Sequence, residues 1–276
     1  MYKVIDFRVR PPYGHWLSSG KFYNKNNVAI LKALGRPVPA YMEDESTETY
    51  VKELEKAGVV LSVTPMRGPE GNPDLVKLTQ DFPGKFAPFA HVRPTEAPLE
   101  ECLRTIDEYV VNGPAYGICM EPYLDPVMWR PDTEAFFPIF ERMQELNKPI
   151  LFTWGGILAP RFSLYDVDQI FTVAKTFPKL KIVLSHAGLP YTNEHVVLCM
   201  MHRNVYLSAV NFSNTQAGGP DYIAAANGPL QDNVIFESAN NDPATMINSF
   251  IHGGLNEEVL PKIFYKNAAR VLGIEE

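Results

Sequence analysis

Cysteine is scarce in this chain. Only Cys102, Cys119 and Cys199 occur, far apart and with no Cys-x-x-Cys pair. That pattern excludes a disulfide framework and a zinc ribbon. Basic charge is also short, with 25 Lys and Arg against 32 Asp and Glu and a net charge of −7. A nucleic-acid binder needs a basic footprint for phosphates, and a membrane-surface binder needs one for anionic lipid. Neither partner is expected. No apolar run approaches the ~18 residues of a membrane span. The opening Met-Tyr-Lys-Val-Ile-Asp lacks the apolar stretch of a signal peptide. The setting expected from these absences is soluble, reducing and cytoplasmic.

What the chain does have is alternation. Apolar residues make up 46% and charged residues 21%, the balance of a globular protein with a large core. Short β-rich runs fall at Lys3–Val9, Val59–Thr64, Phe86–Val92, Ala115–Glu121, Pro149–Thr153, Lys181–Ser185, Asn204–Ala209 and Asn233–Glu237. Between them apolar residues recur at helical spacing, at Thr47–Lys56, Pro98–Val111, Phe136–Leu146, Val167–Phe177 and Glu194–Met201. Asn256–Leu272 closes the chain as a helix. Apolar runs too short for helices, each followed by a helix, imply βα units and a parallel sheet. Eight such units in about 270 residues imply an α/β fold closed into a (β/α)8 TIM barrel. Length alone suggests two domains of about 150 residues, but a barrel of this kind is one domain, so residues 1–276 are read as one.

Punctuation supports this register. Gly58, Gly113 and Gly273 follow helical runs, where a left-handed residue ends a helix cheaply. The fragments Asp81-Phe-Pro-Gly-Lys-Phe and Thr176-Phe-Pro-Lys-Leu-Lys each end a helix and start a strand. Residues 11–45 are too long for a plain βα loop. They hold Tyr13, His15, Trp16, Phe22, Tyr23 and Tyr41, with a helical stretch near Val28–Leu34. This insertion is read as a lid over the site, as the interface of a homo-oligomer, or as a surface excursion packing its own aromatics.

In a TIM barrel the chemistry comes from the C-terminal ends of the strands. Strand one delivers Arg8 and Arg10, two apart and so on one face. Arg67 follows strand two, and His91 and Arg93 end strand three. Glu121 ends strand four, Thr153 and Trp154 strand five, and His186 strand six. Asn211 follows strand seven. Strand eight gives Glu237, Ser238, Asn240, Asn241 and Asp242.

Three of these segments resemble a known family. Ile5-Asp6-Phe-Arg8-Val-Arg10 is similar to the first-strand motif of the amidohydrolase superfamily, in its amidohydrolase-2 branch. Lys181-Ile-Val-Leu-Ser-His186-Ala-Gly188 resembles the sixth-strand motif. Lys266-Asn267-Ala268-Ala269-Arg270-Val-Leu-Gly273 resembles the C-terminal Asn-Ala-x-Arg helix. The resemblance covers essentially the whole chain and implies a hydrolase acting on a small molecule. It also sets out departures. The family's first strand reads Asp-x-His-x-His and supplies metal ligands, where this chain has Arg8 and Arg10. The usual fifth-strand His falls on Thr153, and the usual eighth-strand Asp on Ala239. Of the standard ligands only His186 remains. Catalytic zinc takes about three protein ligands plus water, and guanidinium groups cannot ligate. No metal cofactor is therefore expected. The alternative is a divalent metal such as zinc on a different trio, His91, Glu121 and His186. The resemblance also embraces metal-free branches, among them lactonases and lyases on carboxylated compounds.

Each candidate has a structural and a functional reading. Arg8 and Arg10 inside a barrel either clamp a substrate carboxylate or phosphate, or pair internally with Asp6, Glu121 or Glu237. Arg67 and Arg93 read more readily as surface residues. His186 is either an acid–base or a hydrogen-bonding residue. Glu121 in a low-dielectric cavity would have a raised pKa and serve as the second catalytic group, or would pair with an arginine. His91, Thr153, Trp154 and Asn240 are read as substrate-binding. Tyr191 is a candidate pocket wall, and Ser213–Pro220 a weak candidate phosphate cradle. Asp242 before Pro243 reads as a helix cap. The function expected is hydrolysis of a lactone, ester or amide in a small carboxylated, hence anionic, substrate. The alternatives are a lyase, decarboxylase or hydratase, and a non-catalytic small-molecule binding protein.

Overall fold

The computed structural model describes residues 2–20, 23, 25–33, 37–155, 160–209, 218–239 and 241–274. Eight parallel strands run in chain order: β1 Val4–Asp6, β2 Val59–Pro65, β3 Phe86–His91, β4 Gly117–Met120, β5 Ile150–Thr153, β6 Ile182–Ser185, β7 Val205–Ala209 and β8 Val234–Phe236. The ring closes where the Phe7 N–H donates to Phe236 O at 3.0 Å and the Ala239 N–H to Arg8 O at 3.1 Å. The expected TIM barrel is the observed fold.

Both faces of these strands are apolar because both are buried. Inside, Ile5, Phe7, Val63, Phe89, Cys119 and Leu151 fill the barrel. Outside, Ile118, Phe152, Leu184 and Phe236 pack against the helices. Those helices are α4 Thr47–Lys56, α5 Pro73–Asp81, α6 Leu99–Ile106, α7 Phe137–Glu145, α8 Val167–Thr176, α9 Thr192–Met201, α10 Gly219–Asn227, α11 Pro243–His252 and α12 Asn267–Leu272. Local chemistry sets their ends. Ser46 caps α4 by accepting the Thr49 N–H at 3.1 Å, and Asp242 caps α11 by accepting that of Thr245 at 2.7 Å. The two Phe-Pro fragments do end α5 and α8 and lead into β3 and β6. No helix among the described residues is long and apolar enough to cross a membrane.

Three expectations need correcting. The final helix does not begin at Asn256 but at about residue 260, with a π-helical turn over Lys262–Lys266. Pro261 lacks the N–H that a helix running through it would need, so it sits in the first turn. Gly113 is not left-handed, unlike Gly58 and Gly273. A Cβ there would lie 2.7 Å from the carbonyl oxygens of Glu108 and Tyr109, so close approach requires the glycine. Strand β1 ends at Asp6 rather than Val9, for a reason that belongs to the site.

Among its described residues the insertion contains three short helices, α1 Gly14–Ser18, α2 Lys25–Ala33 and α3 Ala40–Asp44. Trp16, Tyr23 and Tyr41 are buried. Tyr41 packs at a tilt against Tyr50 of α4, with ring centroids 4.4 Å apart.

Candidate active site

Asp6 places the two arginines. Its Oδ1 accepts the N–H of Arg8, two residues on, at 3.2 Å, and that of Ser238 at 2.9 Å. An Asx turn of this kind competes with the ladder and ends the strand. Beyond it, Arg8 and Arg10 both reach Glu121 Oε1, at 3.8 and 3.5 Å. Arg67, in the loop after β2, reaches Glu121 Oε2 through Nε at 3.2 Å. Thr153 donates its hydroxyl to Oε1 at 2.9 Å. Three guanidinium groups thus converge on one buried carboxylate.

That geometry reverses the expected pKa of Glu121. Burial pushes it up, but Arg67, Arg10, His91 and Arg8 together outweigh burial and hold it below the usual carboxylate value. Burial and the neighbouring Arg8 push Arg10 down to about 9, still protonated at neutral pH.

A second carboxylate, Glu237, stands at the end of β8 and is fully buried. Its Oε2 accepts the hydroxyls of Ser185 at 2.8 Å and Ser208 at 2.7 Å. Its Oε1 accepts the backbone N–H of His186 at 3.1 Å and lies 3.5 Å from His186 Nδ1. Ser185 Oγ in turn accepts from Arg8 Nη1, so the two carboxylate centres are linked. Burial pushes Glu237 up from the ordinary value, while Arg8 and the donated hydrogen bonds oppose it. The groups bonded to it are donors, as a carboxylate requires.

His186 is held in an unusual backbone. It has φ 66°, followed by Ala187 at 52° and Gly188 at 78°. Left-handed non-glycine residues cost about 1–3 kcal/mol each and cluster at functional sites. Burial, with Arg8 and Arg10 nearby, lowers the His186 pKa well below the ordinary value. The ring is neutral at pH 7. Nδ1 faces Glu237 Oε1 at 3.5 Å, and Nε2 is buried and has no partner among the described residues.

His91 differs. Its Nδ1 lies 3.1 Å from Met66 O and its Nε2 3.3 Å from Asp125 Oδ1. Both neighbours accept, so both ring nitrogens donate and the ring is an imidazolium. Burial disfavours the charge, but Asp125, Cys119 and Glu121 outweigh it and push the pKa up to about 10. Asp125 also accepts from Arg93 Nε at 3.1 Å and Trp129 Nε1 at 2.8 Å. His91 is fully buried, in a charged latch beside the arginine cluster.

Among the sequence candidates, then, Arg8, Arg10, Glu121, Thr153 and His186 come together. Trp154 lies on the opposite face of the chain from Thr153. Its indole N–H donates to His195 Nε2 at 2.8 Å, and its ring packs on Tyr123 and Tyr165. Asn240, Asn211 and most of the Ser213–Pro220 run lie outside the described residues. Sequence reasoning left out Arg67 and Glu237 as site residues, and Ser185 and Ser208 with them. The signal for Glu237 was its place after β8, which matches that of Glu121 after β4.

This donor set does not suit a divalent cation. Guanidinium groups offer no lone pair, and Glu121 and Glu237 already accept from arginines, hydroxyls or the His186 backbone. His91 donates through both nitrogens. Among the described residues no three His, Cys, Asp or Glu side chains are grouped to hold a metal ion.

A family model described as Amidohydrolase matches residues 70–274. An uncharacterized TIM-barrel protein from Bordetella bronchiseptica superposes with a TM-score of 0.86 at 24% identity, over 98% of both chains. The 4-oxalomesaconate hydratase of Rhodopseudomonas palustris matches with a TM-score of 0.70 at 17% identity, over 98% of this chain and 95% of that one. The 5-carboxyvanillate decarboxylase of Sphingomonas paucimobilis matches with a TM-score of 0.70 at 13% identity, over the full length of both. No curated protein sequence matches. At these identities the likeness to the solved structures is one of fold.

Proposed function

Because the chain belongs to the amidohydrolase family, we propose that it is a hydrolase that opens an ester, lactone or amide in a small carboxylated substrate, with His186 as the base. The observation that carries this reading is the His186–Glu237 pair. Glu237 Oε1, 3.5 Å from Nδ1, favours the tautomer protonated there, which leaves the lone pair of the neutral ring on Nε2. Nε2 is buried without a partner among the described residues, so the reaction needs an opening that admits a water beside it. That water loses its proton to the ring as its oxygen attacks the carbonyl carbon. Arg8 or Arg10 stabilises the oxyanion that forms. The imidazolium then returns its proton to the leaving oxygen or nitrogen as that bond breaks. The arginine cluster also holds the substrate carboxylate. No step passes through a metal. Glu121 is the fixed counter-charge of the arginines rather than an acid or base, since its pKa is held low.

A second reading is a lyase of the hydratase kind. The hydratase and decarboxylase with this fold act, by their names, on carboxylated compounds. The same neutral base would add water across a double bond. Decarboxylation is disfavoured, because it ends by protonating carbon, and a histidine held neutral at pH 7 enters the reaction without a proton to give.

A panel of carboxylated lactones, esters and amides at neutral pH tests this, with products identified. Ring-opened acid, alcohol or amine supports hydrolysis. Addition or loss of water, or release of CO2, transfers the protein to the lyases. Ligand-induced stabilisation without turnover makes it a binding protein.

A further inference from the structure

The insertion between β1 and α4 is docked on the two segments that carry Arg10 and Arg67. The Tyr23 hydroxyl donates to the backbone carbonyl of Arg10 itself. The Trp16 indole N–H donates to the carbonyl of Pro65, two residues before Arg67, at 3.1 Å. The His15 N–H donates to Asp74 Oδ2 at 2.6 Å, which fastens α1 to α5. Gly71, in the loop between Arg67 and α5, makes room for this docking. A Cβ there would lie 2.9 Å from His15 Cβ and would also meet Met66 Sδ. Trp16 is fully buried and Tyr23 nearly so. Arg10 and Arg67 both lie beyond the ends of their strands, outside the regular ladder. Their guanidinium groups meet at opposite oxygens of Glu121.

We propose that the insertion is a strap that sets the spacing of Arg10 and Arg67, so that Trp16 and Tyr23 are positioning residues that select which carboxylates the mouth accepts. The proposal rests on the reading of the arginine cluster as an anion site. A strap of this kind acts through backbone carbonyls, so it changes where the guanidinium groups stand without changing their charge. Its signature is a change of selectivity between anions of different span, not a uniform loss of affinity.

The test uses titration calorimetry of the full chain with acetate, malonate, glutarate and citrate as probes. The variants are Tyr23→Phe, Trp16→Phe, Arg10→Ala and Arg67→Ala, with melting temperatures in parallel. A lost neutral hydrogen bond corresponds to about two- to tenfold in an equilibrium constant. Tyr23→Phe is expected to weaken the best-bound probe by about three- to tenfold and to shift the malonate-to-glutarate affinity ratio by about threefold or more. Trp16→Phe is expected to do the same; if it does not fold, Tyr23→Phe decides alone. Loss of binding in the arginine variants with wild-type affinities and ratio in the folded phenylalanine variants overturns the strap and leaves the anion site standing. An equal loss for every probe also overturns it, since that is what general loosening produces. If no probe binds the wild type, or the arginine variants bind normally, the anion site falls and the strap with it.

Discussion

Glu237 Oε1 lies 3.5 Å from His186 Nδ1 and also accepts the backbone N–H of the same residue at 3.1 Å. One carboxylate oxygen therefore positions the residue through its backbone and favours the ring tautomer with its proton on Nδ1. A histidine oriented by a buried carboxylate, with its second nitrogen unbonded, is arranged to take a proton.

His186→Asn should leave the barrel folded, keep substrate binding within about tenfold, and lower kcat by about a hundredfold or more. The wild-type rate should stay flat as pH falls from 7, because the folded pKa lies well below the ordinary histidine value. Its acidic limb should appear only at lower pH and vanish in the variant. Stability follows the same group: unfolded histidine takes up a proton near pH 6.5, so this contribution is present above that value and lost as pH falls below it. Near-normal kcat in the variant would make His186 structural.

Arg10→Ala should lower kcat/KM for the true substrate by about ten- to a hundredfold, the loss of a buried charge-assisted hydrogen bond of about 1.5–3 kcal/mol. Arg10→Lys should rescue poorly, since an ammonium group cannot reproduce the guanidinium fork. Steady-state kinetics of the two variants, with circular dichroism to confirm folding, would decide. Full activity in folded alanine variants at both Arg8 and Arg10 would remove the clamp.

Glu121→Gln should be among the most destabilising single changes in the molecule. It leaves three guanidinium groups facing a neutral amide, and an uncompensated buried charge costs about 3–5 kcal/mol. Denaturant titration measures this. The wild-type contribution should be present above the unfolded glutamate pKa of about 4.3 and lost as pH falls through it toward the lower folded value. A variant as stable as wild type would show that the cluster does not need its anion.

His91 should remain an imidazolium at pH 8, where an ordinary histidine is neutral. Ring nitrogen chemical shifts read this directly, and deprotonation should centre on about pH 10. Since the folded pKa is raised, its stabilising contribution is fully present below about 6.5 and lost as pH rises through about 10. A neutral ring at pH 8 would contradict the assignment of donors at both nitrogens.

The barrel was legible because βα alternation is a long-range pattern that short apolar runs and helix caps repeat along the chain. Each of the eight strands was located to within a few residues. The site was legible only in part. Arg8, Arg10, Glu121 and His186 could be found by their places at strand ends. The role of Glu121 could not, because its pKa is set by Arg67, a loop residue that spacing cannot bring to it. Likewise, Glu237 was visible as a strand-end residue, but its pairing with His186 depends on the turn after β6, where two non-glycine residues are left-handed. His91 could not be told from a substrate-binding histidine without knowing that acceptors face both ring nitrogens.

Asp6 bonds to Arg8, just past the end of its strand, and to Ser238 across 232 residues of sequence. The arginines therefore leave β1 at the seam where the first strand meets the last. Such a contact is as non-local as this fold allows, and the entropy cost of closure rises, though slowly, with the length closed. A folding chain can pair β2 through β7 before the Asp6–Ser238 contact exists, but it cannot yet hold Arg8 opposite Glu237. Substrate-binding competence should consequently appear with the slowest phase of refolding, after most of the helical signal has returned.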